Sequence, residues 1–473
     1  MSEIMIKAKN LSFKYENEAY FSIQDVNFEI GKGKIILLTG NSGSGKSTLI
    51  KCLNGLIPNL VEGSLVGEVW ICDKNTATSS MADININIGS LFQNPRSQFF
   101  TTNTTAELVF PMENFGYQKD LMEENKNKLC REFRIDGLLD RDIFKLSSGE
   151  RQLLALASSK SLNQKIMILD EPSANLDYCQ TKHLSDLIRQ FKDRGITVII
   201  ADHRFYYLKN LIDRVFLMDD GKLNIYDSEE AFKASDYATR GFDLFNLDIA
   251  FNENIKTDEV VAEINNVDFK DVLKNINLKL YNNEVAVLIG NNGVGKTTLA
   301  KLLIGSYKVD SGEIIIKDLP FYVMQDADYQ LFGHSLANEL SITDNSLSDK
   351  DIDDILTVMG IDEFKDKHPF DLSGGQKQRL QIALATVANK SLIIFDEPTS
   401  GLDVISMKRV VEQIKKLAHK AGILIISHDY EFIRSAANRV IYLKNQNIVD
   451  DFTLNEENID KFNRIFKEME VKE

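Results

Sequence analysis

The sequence predicts an α/β chain made of two tandem copies of one unit, each built on a mainly parallel sheet. Two sets of observations predict it. The first is repetition. GNSGSGKST at Gly40 returns as GNNGVGKTT at Gly290, an offset of 250, and LSSGERQ at Leu146 returns as LSGGQKQ at Leu372, an offset of 226. IMILDEP, ending at Pro172, returns as LIIFDEP, ending at Pro398, and His203 returns as His428. Strings recurring in one order at nearly constant spacing mark a duplication. The second is patterning: short, uninterrupted apolar runs alternate with helical stretches, as in strands covered on both faces.

The runs fall in matched order. Ile35 to Leu38, Ile166 to Leu169 and Val198 to Ile200 are repeated by Val285 to Ile289, Leu392 to Phe395 and Ile423 to Ile426. The falling offset locates a deletion: 53 residues separate Gly40 from Gln93, but 35 separate Gly290 from Gln325. The missing counterpart is GLIPNLVEGSLVGEVWICDKNTATSS, whose alternation and turn residues predict a β-rich subdomain trimmed in the second half. The expected division is 1–228, a linker 229–260, and 261–473. Phe232, Tyr237, Phe242, Phe245 and Phe251 predict that the linker packs on a domain instead of floating.

Length, 473 residues, suggests about three ordinary domains or two large ones. With 55 Lys+Arg against 70 Asp+Glu the net charge is −15, the wrong sign for a chain whose main task is gripping nucleic-acid phosphates. Cys52, Cys72, Cys130 and Cys179 are spaced for neither a zinc site nor a disulfide framework, which predicts a reducing compartment. MSEIMIKAKN holds no secretory signal, and no apolar run approaches the ~18 residues of a membrane span, so the expectation is a soluble or peripheral protein.

The glycine-rich strings follow a strand and open a helix, the context of a phosphate-binding P-loop. In the first, Asn41, Ser42, Gly43, Ser44, Gly45, Lys46, Ser47 and Thr48 are candidate nucleotide-binding residues. In the second they are Asn291, Asn292, Gly293, Val294, Gly295, Lys296, Thr297 and Thr298. The glycines let successive N–H groups point inward as an anion cradle, and each lysine reaches the β- and γ-phosphates. Ser47 and Thr297 are placed to bind Mg²⁺, with Asp170 and Asp396 at the ends of their buried strands. Glu171 and Glu397 follow, where a general base for water belongs.

With these residues in view, the two halves resemble nucleotide-binding domains of the ATP-binding-cassette superfamily. LSGGQ stands intact at Leu372 to Gln376; the first half reads LSSGE and departs at Ser148 and Glu150. The resemblance implies two tandem P-loop NTPase domains, each with an antiparallel β-subdomain and a helical subdomain beside its parallel sheet, using ATP and Mg²⁺. It implies catalytic roles for Glu171, Glu397, His203, His428, Gln93 and Gln325, the two glutamines also serving the metal. Tyr15 matches the adenine-stacking aromatic, and Asp271 replaces it in the second half. D-loops end at Asp177 and Asp403. Head-to-tail pairing of the halves is implied, with Ser373 and Gly375 closing the first P-loop and Ser147 and Gly149 the second. The two sites are therefore expected to be unequal.

Behind each Q-loop glutamine a second follows five residues on, then two apolar side chains: Gln98-Phe99-Phe100 and Gln330-Leu331-Phe332. QNPRSQ and LNGLIPNLVEG are similar to the ATPases of energy-coupling-factor importers. That similarity implies integral-membrane partners, a coupling protein and a substrate-binding protein, and a peripheral location on the cytoplasmic face of the membrane. Soluble tandem cassettes acting on the ribosome, and fused sugar-importer ATPases, are the alternatives; the acidic linker and tail disfavour RNA. Ile459, Phe462, Ile465, Phe466 and Met469 form a helical stripe expected to pack on its own domain. His183, His334, His368 and His419 show no metal-ligand grouping.

Overall fold

A computed structural model describes residues 3–469 apart from 17, 19, 42, 174, 175, 177, 203, 204, 237–251, 253–256, 292 and 400–403. The chain divides into two compact units, 1–240 and 241–473.

In unit 1 a six-stranded sheet runs in the order Lys222–Tyr226, Arg214–Asp219, Ile35–Gly40, Thr197–Ala201, Ile166–Asp170, Ile88–Leu91. Every pairing in it is parallel except the first. Ile35, Ile36 and Leu37 are wholly buried, as are Ile166 to Leu169, so these strands carry apolar side chains on both faces. The predicted runs are therefore strands. A second, antiparallel sheet orders Ile23–Gly31, Ile4–Tyr15, Gly63–Ile71, Lys74–Asn75. Its inner face packs with the helix Lys46–Leu53 through Phe13, Val26, Leu49 and Leu53 in one core. The helices Thr104–Asn114, Lys119–Phe133 and Ser148–Ser159 make the helical layer.

Unit 2 repeats the plan. Its parallel sheet orders Phe321–Val323, Leu392–Asp396, Gly422–Ile426, Val285–Ile289, Arg439–Lys444, with Asn447–Thr453 antiparallel at the edge. Its antiparallel sheet has three strands, Leu273–Tyr281, Val260–Phe269, Ser311–Ile316. The trimming is narrower than the sequence suggests. Ser311–Ile316 pairs with Val260–Phe269 as Gly63–Ile71 pairs with Ile4–Tyr15, so the long strand survives. Among the described residues, unit 2 has no counterpart of the two-residue strand Lys74–Asn75 or of the short helices Leu56–Asn59 and Met81–Asn85.

Phe232, the described member of the linker aromatics, is fully buried and meets the Tyr226 ring edge-on; the other four lie outside the described residues. The C-terminal stripe packs on its own unit. Phe462 and Phe466 of the helix Ile459–Glu468 are buried against Tyr430, with ring centroids 5.2 and 5.3 Å away. His183 is a core histidine whose Nε2 lies 3.2 Å from Phe133 O. No helix among the described residues is long and apolar enough to cross a membrane.

Candidate functional site

Each P-loop joins a central buried strand to a helix with no acidic residue in its first turn. Gly45 and Gly295 stand at the helix starts in left-handed conformation, φ 103° and 113°, and a Cβ at Gly45 would lie 2.5 Å from Ser22 O. Only glycine fits there, and its backbone turns the following N–H groups toward the loop. Lys46 Nζ donates to Gly40 O (2.7 Å) and Asn41 O (2.9 Å). Lys296 Nζ repeats this on Gly290 O (2.7 Å) and Asn291 O (3.1 Å). Both ammonium groups thus sit over their own loop carbonyls, oxygens they can exchange for those of a phosphate.

In unit 1 a cavity of about 550 Å³ brings Tyr15, Lys46, Ser47, Gln93, Asp170 and Glu171 together. Gly43, Gly45 and Thr48 line it too, while Ser42 and His203 lie outside the described residues. Burial pushes the Asp170 carboxyl up to about 6, with Lys46 opposing and Asp202 adding to the shift. Burial likewise pushes Glu171 up to about 7, reinforced by the Asp202 and Asp170 carboxylates and opposed by a hydrogen bond from Gln93. Buried carboxyls held reluctantly ionised beside a lysine are a donor set that a divalent cation and a polyphosphate fit.

Tyr15 stands at the cavity's rim, its hydroxyl 3.1 Å from Thr48 Oγ1 and its ring edge-on to Phe13. Tyr20 and Phe21, which sequence reasoning passed over, join it on the loop between the first two strands. Their signal was present. The offset drops from 256 at Phe13/Phe269 to 250 at Ile23/Leu273, a second deletion that leaves unit 2 only residues 270–272 in this loop.

A cavity of about 550 Å³ in unit 2 lies against the P-loop, lined by Asp271, Val272, Asn291, Gly293, Val294 and Gln446 with no aromatic ring among the described residues; Lys296, Thr297, Asp396 and Glu397 are not part of its lining. Asn292 lies outside the described residues. Thr297 Oγ1 donates to Asp396 Oδ2 (3.1 Å), so the two candidate metal groups touch. Asp396 is raised by burial, against which a hydrogen bond from Tyr322 acts. His428 Nδ1 lies 2.7 Å from Glu397 Oε1, and Ser427 Oγ reaches Glu397 Oε2 (3.3 Å). Gln325 is exposed. Glu171 and Glu397 both adopt left-handed backbone, φ 50° and 51°, a cost that sites under functional constraint carry.

Residues 23–174 and 273–400 match the family described as ABC transporter. The chain belongs to that family. It is a fused two-cassette ABC ATPase, and its cassettes use ATP with Mg²⁺. A Treponema denticola protein named as an ABC transporter ATP-binding protein is 37% identical, with 95% of this chain and 97% of that protein covered. A Bacillus subtilis protein named for HMP/thiamine import ATP binding is 28% identical over 94% of this chain and 91% of its own length. Among solved structures, the RNase-L inhibitor is similar in fold, with TM-score 0.72 at 21% identity, covering 97% and 93%. The archaeal ribosome recycling factor aABCE1 gives TM-score 0.70 at 21% identity, covering 97% and 92%.

The two ABC signatures cap their helices alike despite differing in sequence. Ser147 precedes the helix Ser148–Ser159; its N–H and its Oγ each donate to Glu150 Oε2 at 2.9 Å, a capping box. Ser373 N–H donates to Gln376 Oε1 at 2.8 Å. Glu150 therefore keeps the cap but adds a charge. A Cβ at Gly149 would collide with the Gln180 amide, whereas Gly375 sits partly exposed in its helix's first turn. Asp177 and Asp403 lie outside the described residues.

Proposed function

We propose that the chain energises an importer of the energy-coupling-factor type from the cytoplasmic face of a membrane, its domains 1–228 and 261–473 joined by 229–260 and closing head-to-tail on ATP. One site combines Tyr15, Lys46, Ser47, Gln93, Asp170, Glu171 and His203 with Ser373 and Gly375. The other combines Lys296, Thr297, Gln325, Asp396, Glu397 and His428 with Ser147 and Gly149. In this reading the signature helix N-termini present N–H groups to the γ-phosphate of the opposite cassette, and hydrolysis removes the group that joins them. Glu171 and Glu397 accept the proton of the attacking water.

The observation that carries the transport reading is an apolar pair repeated in both units. Phe100 and Phe332, each seven residues past a Q-loop glutamine, are 76% and 79% exposed, while Leu331 beside the second is buried. Packing accounts for Leu331, and the Phe100 ring stacks on Phe110 (centroids 5.2 Å), yet both phenylalanines keep most of their surface in water at matching positions, a pattern typical of interfaces. Phe144 and Phe370, ahead of each signature, are exposed as well. The Bacillus subtilis relative's name points the same way.

Copurification tests this. The intact chain is expected to bring down an integral-membrane partner, and Phe100→Asp with Phe332→Asp to lose it while keeping ATPase activity. Recovery of ribosomal subunits in place of a membrane protein would establish the soluble alternative.

A further inference from the structure

We infer that Tyr322 is a positioning residue for the metal-binding carboxylate of unit 2, tying Asp396 to the helix that carries the signature. The inference rests on the reading of Asp396 as a magnesium ligand. Tyr322 lies on the edge strand beside Leu392–Asp396, and its hydroxyl donates to Asp396 Oδ2 at 2.7 Å, the oxygen that Thr297 also reaches. Its main chain is gripped from the other side. Gln330 Nε2 donates to Tyr322 O (3.1 Å), and Gln330 Oε1 accepts from Met324 N–H (3.1 Å) and from Gln381 Nε2 (2.9 Å). Gln381 belongs to the helix Gly374–Val387, which begins directly after Ser373, and it also donates to Met324 O (3.0 Å). Hydrogen bonds thus run without a gap from the signature helix through Gln381, Gln330 and Tyr322 to Asp396.

Unit 1 does not repeat this connection. Ser90 stands in register where Tyr322 stands, opposite Ile168 as Tyr322 is opposite Ile394. Its Oγ is buried with no hydrogen-bond partner among the described residues. Ala155 replaces Gln381, and Gln98 Nε2 reaches only main-chain oxygens, Ser90 O (3.1 Å) and Ala155 O (3.5 Å). A hydroxyl donating to one carboxylate oxygen fixes the rotamer and favours the ionised form, so a cation meets a ligand already oriented.

The test uses the full chain carrying Lys46→Ala, leaving unit 2 to retain nucleotide, and reads the Mg²⁺ concentration that half-saturates ATP retention. Tyr322→Phe is expected to raise that midpoint by about tenfold, the usual scale for an outer partner of a metal ligand, with metal-free ATP binding unchanged. Asp396→Asn is expected to raise it further. An unmoved midpoint in Tyr322→Phe, with Asp396→Asn shifted, overturns the role of Tyr322 and leaves the metal reading standing. An unmoved midpoint in Asp396→Asn removes the metal reading and this inference with it.

Discussion

His428 Nδ1 lies 2.7 Å from Glu397 Oε1, at the C-terminal edge of the parallel sheet, and Ser427 holds the other carboxylate oxygen. A base that is oriented by two partners is fixed for one proton transfer. Replacing His428 with Ala is expected to slow hydrolysis in unit 2 by ~10²-fold or more, the scale of a disabled general base, while nucleotide binding stays intact. Single-turnover hydrolysis in the Lys46→Ala background measures it; unchanged turnover would remove His428 from the reaction.

Unit 1 places Asp202 where unit 2 has Ser427, and the exchange appears in Glu171, raised from 4.5 to about 7 by burial and then by Asp202. The folded state therefore binds this proton more tightly than the unfolded chain. Below pH 4.5 both states hold it; as pH climbs through 7 the stability it supplies is lost. Glu171→Gln stays neutral throughout, so it is expected to match the parent at pH 4.5 and exceed it by about 3 kcal/mol above pH 7. Urea unfolding at the two pH values checks this. The same variant is expected to bind ATP and hydrolyse it ~10²-fold more slowly or worse at that site.

Much of the fold and site was legible because the chemistry is local. A P-loop, a strand-ending Asp-Glu and a signature are contiguous strings, and their recurrence fixed the duplication and the central strands. What was not legible depends on contacts across the chain. Tyr322 meets Asp396 at a separation of 74 residues, and nothing in FYV announces a hydroxyl aimed at a carboxylate. LSSGE reads as a damaged signature, yet Glu150 caps its helix as Gln376 caps the other, since either side chain can accept from the N-cap N–H. The shortened loop 270–272 was visible in the offsets, but that Asp271 and Val272 leave the cavity against the second P-loop without an aromatic ring among the described residues needed the structure.

Glu150 places a carboxylate at a helix N-terminus whose N–H groups are proposed to face a γ-phosphate. Glu150→Gln keeps the capping box and removes the like charge. Repulsion between two like charges a few Å apart in water is on the order of 1 kcal/mol, so ATP-driven closure at the Lys296 site is expected to tighten by about fivefold. Nucleotide titration of a Glu397→Gln chain with and without the change measures it; weaker closure would mean that the carboxylate itself contributes to binding.

The contrast between the loops that follow the first strand of each unit gives the remaining expectation. Tyr15, Tyr20 and Phe21 line the unit 1 cavity beside Lys46; Asp271 and Val272 stand in the corresponding loop of unit 2. Stacking a base on an aromatic ring is worth about 1–3 kcal/mol, so the Lys46 site is expected to hold ATP more tightly than the Lys296 site by about tenfold or more. Tyr15→Ala should bring the two affinities together without touching the weaker one. Equilibrium binding in the Lys46→Ala and Lys296→Ala backgrounds separates the sites. Equal affinities before the substitution, or a loss at both sites after it, would show that Tyr15 packs the core through Phe13 and Thr48 and does not receive the base.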